Sequence, residues 1–217
     1  MFELIRKNRF FIAPYLLLLG IATFFLIVYS KSQIHIYLNQ FHNPITDLFF
    51  KYLTYVGDGV VVAVFLIVLL FISYRYFLIM AGNVFLTTVV VQGFKRIIFS
   101  DSVRPSNFFS GIYELHLVSG VDLHSFKSFP SGHTASAFGI FFMVALITKN
   151  NGLKFLFLIT AFLTAYSRVY LSQHFLVDIF FGSLISTVFT FLMFYFGMKW
   201  QNKGLDRSLG QFVGSKG

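Results

Sequence analysis

The chain has 217 residues and a formal charge of +9; 57% of it is apolar, 20% aromatic and only 12% charged. That charged share is about half of what a soluble domain carries, and apolar runs of spanning length recur from end to end, which excludes an ordinary soluble globule. The basic excess then reads as the Lys and Arg of cytoplasmic loops rather than a nucleic-acid surface, because no basic stripe interleaves with exposed aromatics.

Six spans are predicted, over residues 10–29, 60–74, 77–99, 133–148, 153–171 and 175–198. The fold class is therefore all-α: a polytopic membrane protein with six transmembrane helices, forming one domain over residues 1–200 with a cytoplasmic tail over 201–217. The first run is expected to remain as a span, since no small-residue cleavage site follows it. The second and fourth are short for a bilayer of about 30 Å. Arg6, Lys7 and Arg9 precede the first span and place the N-terminus in the cytoplasm. Six crossings return Lys199, Lys203 and Arg207 to that side, with Arg75 and the turn between Lys149 and Lys154.

Between the first two spans, Asn43-Pro44 reads as an N-cap and first helical residue. Ile45, Leu48, Phe49, Tyr52 and Val56 follow at helical spacing, so an amphipathic helix is expected on the outer interface. The connection from Ser100 to Pro130 is long enough to have a role of its own. The last dozen residues are expected to form a loose tail. All six histidines, His35, His42, His116, His124, His133 and His174, fall in outer segments or at outer ends of spans. Cysteine is absent, which rules out disulfides and thiolate metal sites.

Three segments put ionisable groups where a membrane protein should avoid them. His174 and Asp178 are four apart, hence one turn apart on one helical face. Asp178 can orient one imidazole nitrogen and leave the other to attack, or the two can form a structural pair. A carboxylate inside a span calls for a partner and, by default, a function. Pro130-Ser131-Gly132-His133 reads as a helix N-terminus, either an ordinary cap or an anion site in which His133 protonates a leaving oxygen. Lys95, Arg104 and Arg168 stand at outer ends of different spans, where they can converge on one phosphate or, individually, mark the interface.

Arg104-Pro105, the Pro-Ser-Gly-His at 130–133, and Ser167-Arg168 with five residues before His174 and three more before Asp178 resemble the signature motifs of the type 2 phosphatidic acid phosphatases. That superfamily also holds the vanadium haloperoxidases and glucose-6-phosphatase. The first motif departs from the pattern: eight residues rather than the usual six separate Lys95 from Arg104, and Arg96 is a rival for the lysine's place.

The resemblance implies that His174 attacks phosphorus to form a phosphohistidine, that Asp178 orients it, and that His133 protonates the departing group. Lys95, Arg104 and Arg168 would hold the phosphate oxygens, with donors from Ser131 and Gly132. It implies no metal and no other cofactor, and the sequence offers no carboxylate cluster to hold one. The expected activity is that of an integral membrane lipid phosphatase with its site on the extracytoplasmic face, in a bacterial inner membrane. Phosphatidate, phosphatidylglycerol phosphate, polyprenyl diphosphate and lipid A phosphates all suit such a site, with selecting contacts expected in the 106–129 loop. A lipid phosphotransferase would use the same residues, and a lipid-binding or transport protein with an inactive site is the alternative from another class.

Overall fold

The computed structural model describes residues 1–213. Among them there is no strand, and the helices run α1 (Phe2–Lys7), α2 (Arg9–Val28), α3 (Lys31–Asn39), α4 (Pro44–Leu53), α5 (Gly59–Ile72), α6 (Tyr74–Gly93), α7 (Pro105–Phe108), α8 (Gly132–Ile147), α9 (Asn151–Tyr170), α10 (Leu176–Gly197) and α11 (Leu209–Val213). Four are long and apolar enough to cross a membrane: α2, α6 with its extension to Ile98, α9 and α10. Residues Pro44–Gly57 and Gly59–Ile72 pass the same test only as a pair bent by 51°.

The bend has a local cause. After α4 the chain tightens into a 3-10 turn over Thr54–Gly57 and then becomes extended at Asp58, whose carboxylate accepts from the Gly59 N–H at 2.6 Å and caps α5. Ile45, Leu48, Phe49 and Tyr52 of α4 all face outward, while Phe50 packs on Tyr166 and Tyr170 of α9. The stripe expected to lie in the interface thus points away from the protein.

The short helix α8 is explained by where it sits. It packs against α5, α6, α9 and α10, and ten of its 16 residues are buried. A helix apolar on all sides belongs in a core, and at about 24 Å it need not meet lipid at either end. Its first turn is recessed, close against α10: a Cβ on Gly182 would lie 2.5 Å from the Ser131 carbonyl oxygen. That close approach is one place where only glycine fits.

Two segments differ from expectation. The capping box of Ser30 with Gln33 starts α3, which buries Ile34 and His35 and was not among the predicted elements; the Ser-x-x-Gln pattern is its signal. The expected loose tail is folded as far as it is described. Arg75 donates to the carbonyls of Gly197, Trp200 and Asn202 and to both carboxylate oxygens of Asp206. The Tyr74 N–H donates to Arg207 O at 2.9 Å, and α11 packs on α5. With five hydrogen bonds to four residues there, the guanidinium fixes the segment; residues 214–217 lie outside the described chain.

Candidate active site

The turn between α9 and α10 carries His174. Arg168 O accepts from the N–H groups of both Gln173 and His174, at 2.9 and 3.0 Å, so the chain folds back over the end of α9. Ser172 takes φ of +52° there, a region that L-residues seldom adopt, and its hydroxyl lies 3.1 Å from His35 Nε2. His35 in turn lies between Phe109 and Phe175.

Asp178 occupies the first turn of α10. Its Oδ2 accepts from the Ser128 hydroxyl at 2.5 Å and the Phe175 N–H at 2.9 Å, with His174 Nδ1 at 3.3 Å. A carboxylate held by two other donors fixes where the imidazole can place its Nδ1 proton, leaving Nε2 as the nitrogen with a free lone pair. His174 is 1% exposed. Burial first, and then the positive charges of Arg104, Arg168, Lys95 and His133, hold its pKa well below the ordinary imidazole value. It is therefore neutral, as a nitrogen nucleophile must be.

That same set of charges shows what the fold brings together: Lys95 from the end of α6, Arg104 from the long connection, His133 from α8 and Arg168 from α9 all act on one ring. Arg104 is placed by Gln173, whose side-chain oxygen accepts at 2.9 Å, and by Phe126 O at 3.1 Å. Burial lowers its pKa, with the Asp178 carboxylate opposing. Arg168 donates from Nη1 to Thr54 Oγ1 at 2.6 Å, while its Nε is buried with no partner. A charged donor without an acceptor is costly in a protein interior, and a phosphate oxygen would satisfy it.

The first turn of α8 supplies a different kind of donor. The Ser131 N–H donates to Asp178 O at 3.0 Å and its hydroxyl accepts from Thr134 Oγ1 at 2.9 Å, so Ser131 is largely engaged in capping, and what remains is its own hydroxyl proton. The N–H groups of Gly132 and His133 have no intrahelical acceptor, and a Cβ on Gly132 would meet nothing within 4 Å. The space beside Gly132 is therefore open. On the other side His133 is held close to the 3-10 turn, where a Cβ on Gly57 would lie 2.6 Å from His133 O.

Lys95 and Arg96 sit in a π-helical turn over Phe94–Ile98, closed by the Phe99 N–H on Phe94 O. A π turn takes one more residue than an α turn, and with the bend at 99–102 it takes up the longer spacing between Lys95 and Arg104. Lys95 is half-buried beside Arg104, Arg168 and Asp178. Arg96 is exposed and donates to Gln92 Oε1.

Residues that sequence reasoning missed do the positioning: Thr54, Ser128, Ser172, Gln173 and His35. Ser172 and Gln173 had a signal, their place inside the third motif. Of the other histidines, His42 and His116 stack on each other with ring centres 3.7 Å apart, and His116 Nε2 is 2.9 Å from Asp47 Oδ2; His124 is exposed.

Residues 75–202 match the family described as the PAP2 superfamily. A lipid A 4'-phosphatase of Bacteroides thetaiotaomicron is 26% identical over 174 residues, which covers 76% of this chain and 75% of that protein. The crystal structure of Aquifex aeolicus LpxE superposes with a TM-score of 0.66 at 27% identity, covering 75% of this chain and 93% of that one. The transmembrane PAP2-type phosphatidylglycerolphosphate phosphatase from Bacillus subtilis covers 94% of this chain and all of its own, with a TM-score of 0.54 at 21% identity; that likeness is one of fold.

Proposed function

This chain belongs to the PAP2 superfamily, and from that premise we propose that it is a metal-independent membrane phosphatase that removes phosphate from a lipid phosphate monoester or diphosphate. The observation that carries this reading is a neutral, buried His174 held by Asp178 among the charges of Lys95, Arg104 and Arg168. The lipid A phosphatase relative supports a lipid substrate. The candidate spans make the chain an integral membrane protein, so such a substrate can be reached without leaving the bilayer.

In the first step the lone pair of His174 Nε2 forms a bond to phosphorus as the bond to the lipid oxygen breaks, and His133 gives that oxygen a proton. The three cations and the Gly132 and His133 N–H groups hold the oxygens on which charge develops. In the second step water gives a proton to His133 and its oxygen displaces His174 Nε2, releasing phosphate. Asp178 stays ionised and keeps the ring oriented throughout.

Six crossings, with both termini cytoplasmic and the site on the outer face, complete the proposal. Support comes from Lys7, Asn8 and Lys154, which meet at one end of the bundle, with the site at the other. An impermeant thiol reagent on intact cells should label S110C, since Ser110 is exposed and no native cysteine competes; labelling only after permeabilisation inverts the topology. The activity itself is tested by phosphate release from a panel of lipid phosphates, with trapping of a phosphorylated enzyme from labelled substrate. Release without any trapped phosphoenzyme, and with His174→Ala still active, would defeat the covalent mechanism.

A further inference from the structure

Beneath the site, helices α5, α6 and α8 enclose a groove of about 290 Å³. Gly59, Ala63 and Thr88 are exposed at its mouth, while Asn83, Gly139 and Ser186 lie buried at its floor. Two of its elements lead up to the site. Gly59 follows the turn that presses Gly57 on His133, and Ala135 and Ser136 of the lining follow His133 on α8.

An apolar groove facing lipid would need no polar floor, yet this one has donors without acceptors. Ser186 is 1% exposed and its Oγ has no hydrogen-bond partner. Asn83 is 2% exposed; its Oδ1 accepts from Thr87 at 3.2 Å, whereas its Nδ2 has only the Met80 sulfur at 3.9 Å. Bulk water cannot serve such groups at membrane depth. The two donors converge: a Cβ on Gly139 would lie 2.8 Å from Ser186 Oγ and 2.9 Å from Asn83 Nδ2. Glycine at this position leaves both open to the groove.

We propose that the groove takes one acyl chain of the lipid substrate, and that Asn83 Nδ2 and Ser186 Oγ donate to the carbonyl oxygen through which that chain is attached. The inference rests on the phosphatase reading above. Two converging donors select an acceptor, and a carbonyl is the one acceptor every acyl chain carries. The depth agrees as well: Gly139 is six residues beyond His133 on α8, roughly 9 Å along the axis, comparable to the few bonds between a headgroup phosphate and its first acyl carbonyl. Past that oxygen the lining turns apolar, with Leu66 and Met80 for the hydrocarbon.

The test compares diacylglycerol phosphate with its dialkyl ether analogue, which has the same length but no carbonyl, by initial-rate kcat/KM in detergent micelles. The wild type should favour the diester about tenfold, the worth of one hydrogen bond. Ser186→Ala should remove most of that preference by slowing the diester and leave the diether within about twofold. Gly139→Ala, which crowds both donors, should do the same; if it fails to fold, Ser186→Ala, which adds no volume, still decides. A wild type that does not discriminate, or a Ser186→Ala effect equal on both lipids, would overturn the proposal. So would hydrolysis of a soluble phosphomonoester but of neither lipid, whereas release of phosphate from no ester at all would sink the phosphatase reading with it.

Discussion

Arg75 and Lys95 stand at opposite ends of α6, and the regions around them use cations in opposite ways. At the Arg75 end, the two buried cations are answered by protein. The guanidinium makes five hydrogen bonds to the segment after α10, and Lys154 donates to Lys7 O and Asn8 Oδ1. At the Lys95 end, three cations and two histidines crowd around one carboxylate, and Arg168 keeps a buried donor with no acceptor. Residue type alone does not separate a latch from a ligand site. What separates them is whether the donors are already satisfied, because a buried charge without a partner is retained only where something else supplies one.

The strongest way to break this comparison is to remove the nucleophile. His174→Ala should lower kcat/KM by at least ~10³-fold, since no other group is placed to attack phosphorus. His174 is neutral and its ring makes one hydrogen bond, at 3.3 Å to Asp178, so the variant should lose little stability beyond the cost of the small cavity left behind. Residual turnover above that level, or a large loss of stability, would mean that the outer cluster is structural after all.

Next in size are the two neighbours in the π turn. Lys95→Ala should cost kcat/KM about 2–4 kcal/mol, roughly 30- to 1000-fold, by losing one or two charge-assisted contacts. Arg96→Ala should cost less than about threefold, because its guanidinium is exposed and donates only to Gln92. If Arg96→Ala were the crippled variant, the phosphate clamp would move by one residue. Both must be compared as correctly inserted protein.

Arg75→Ala is the converse experiment. It should leave kcat/KM of the folded enzyme within about twofold and lower the thermal midpoint by about 5 °C, as the C-terminal segment comes off its anchor. A limited-proteolysis site appearing between Trp200 and Arg207 would locate the change. Loss of activity without loss of stability would show that the two ends are coupled.

Much of this layout was legible in the sequence, for a physical reason. Hydropathy is imposed by the bilayer, so six helices fall within a few residues of the predicted runs, whatever number of them cross. His174 and Asp178 were legible because their relation is local, one helical turn. Thr54 and Ser128 were not, since they act on Arg168 and Asp178 across distances in sequence of 114 and 50 residues, and spacing carries no trace of that. The folded tail was missed for the same reason: its anchor, Arg75, lies 131 residues before Asp206 and looked like an ordinary topology marker.

The smallest expected effect concerns His35, which sits behind the loop carrying His174. Its Nε2 is paired with Ser172, its Nδ1 is buried without a partner, and burial lowers its pKa from the ordinary 6.5 to about 4. Below pH 6.5 the unfolded chain takes up a proton that folded His35 refuses until about pH 4. Its contribution to stability is therefore complete above pH 6.5 and lost progressively as pH falls, at up to ~1.4 kcal/mol per pH unit. His174, also held low, adds a second proton with the same sign. Between pH 6.5 and 5 the thermal midpoint should fall, and His35→Gln, which can still bond Ser172, should make that slope shallower. Activity at neutral pH should change by less than about fivefold, because the loop carrying His174 keeps its other ties. An unchanged slope in His35→Gln would mean that His35 takes up its proton in the folded state, and that the ring is not sealed between Phe109 and Phe175.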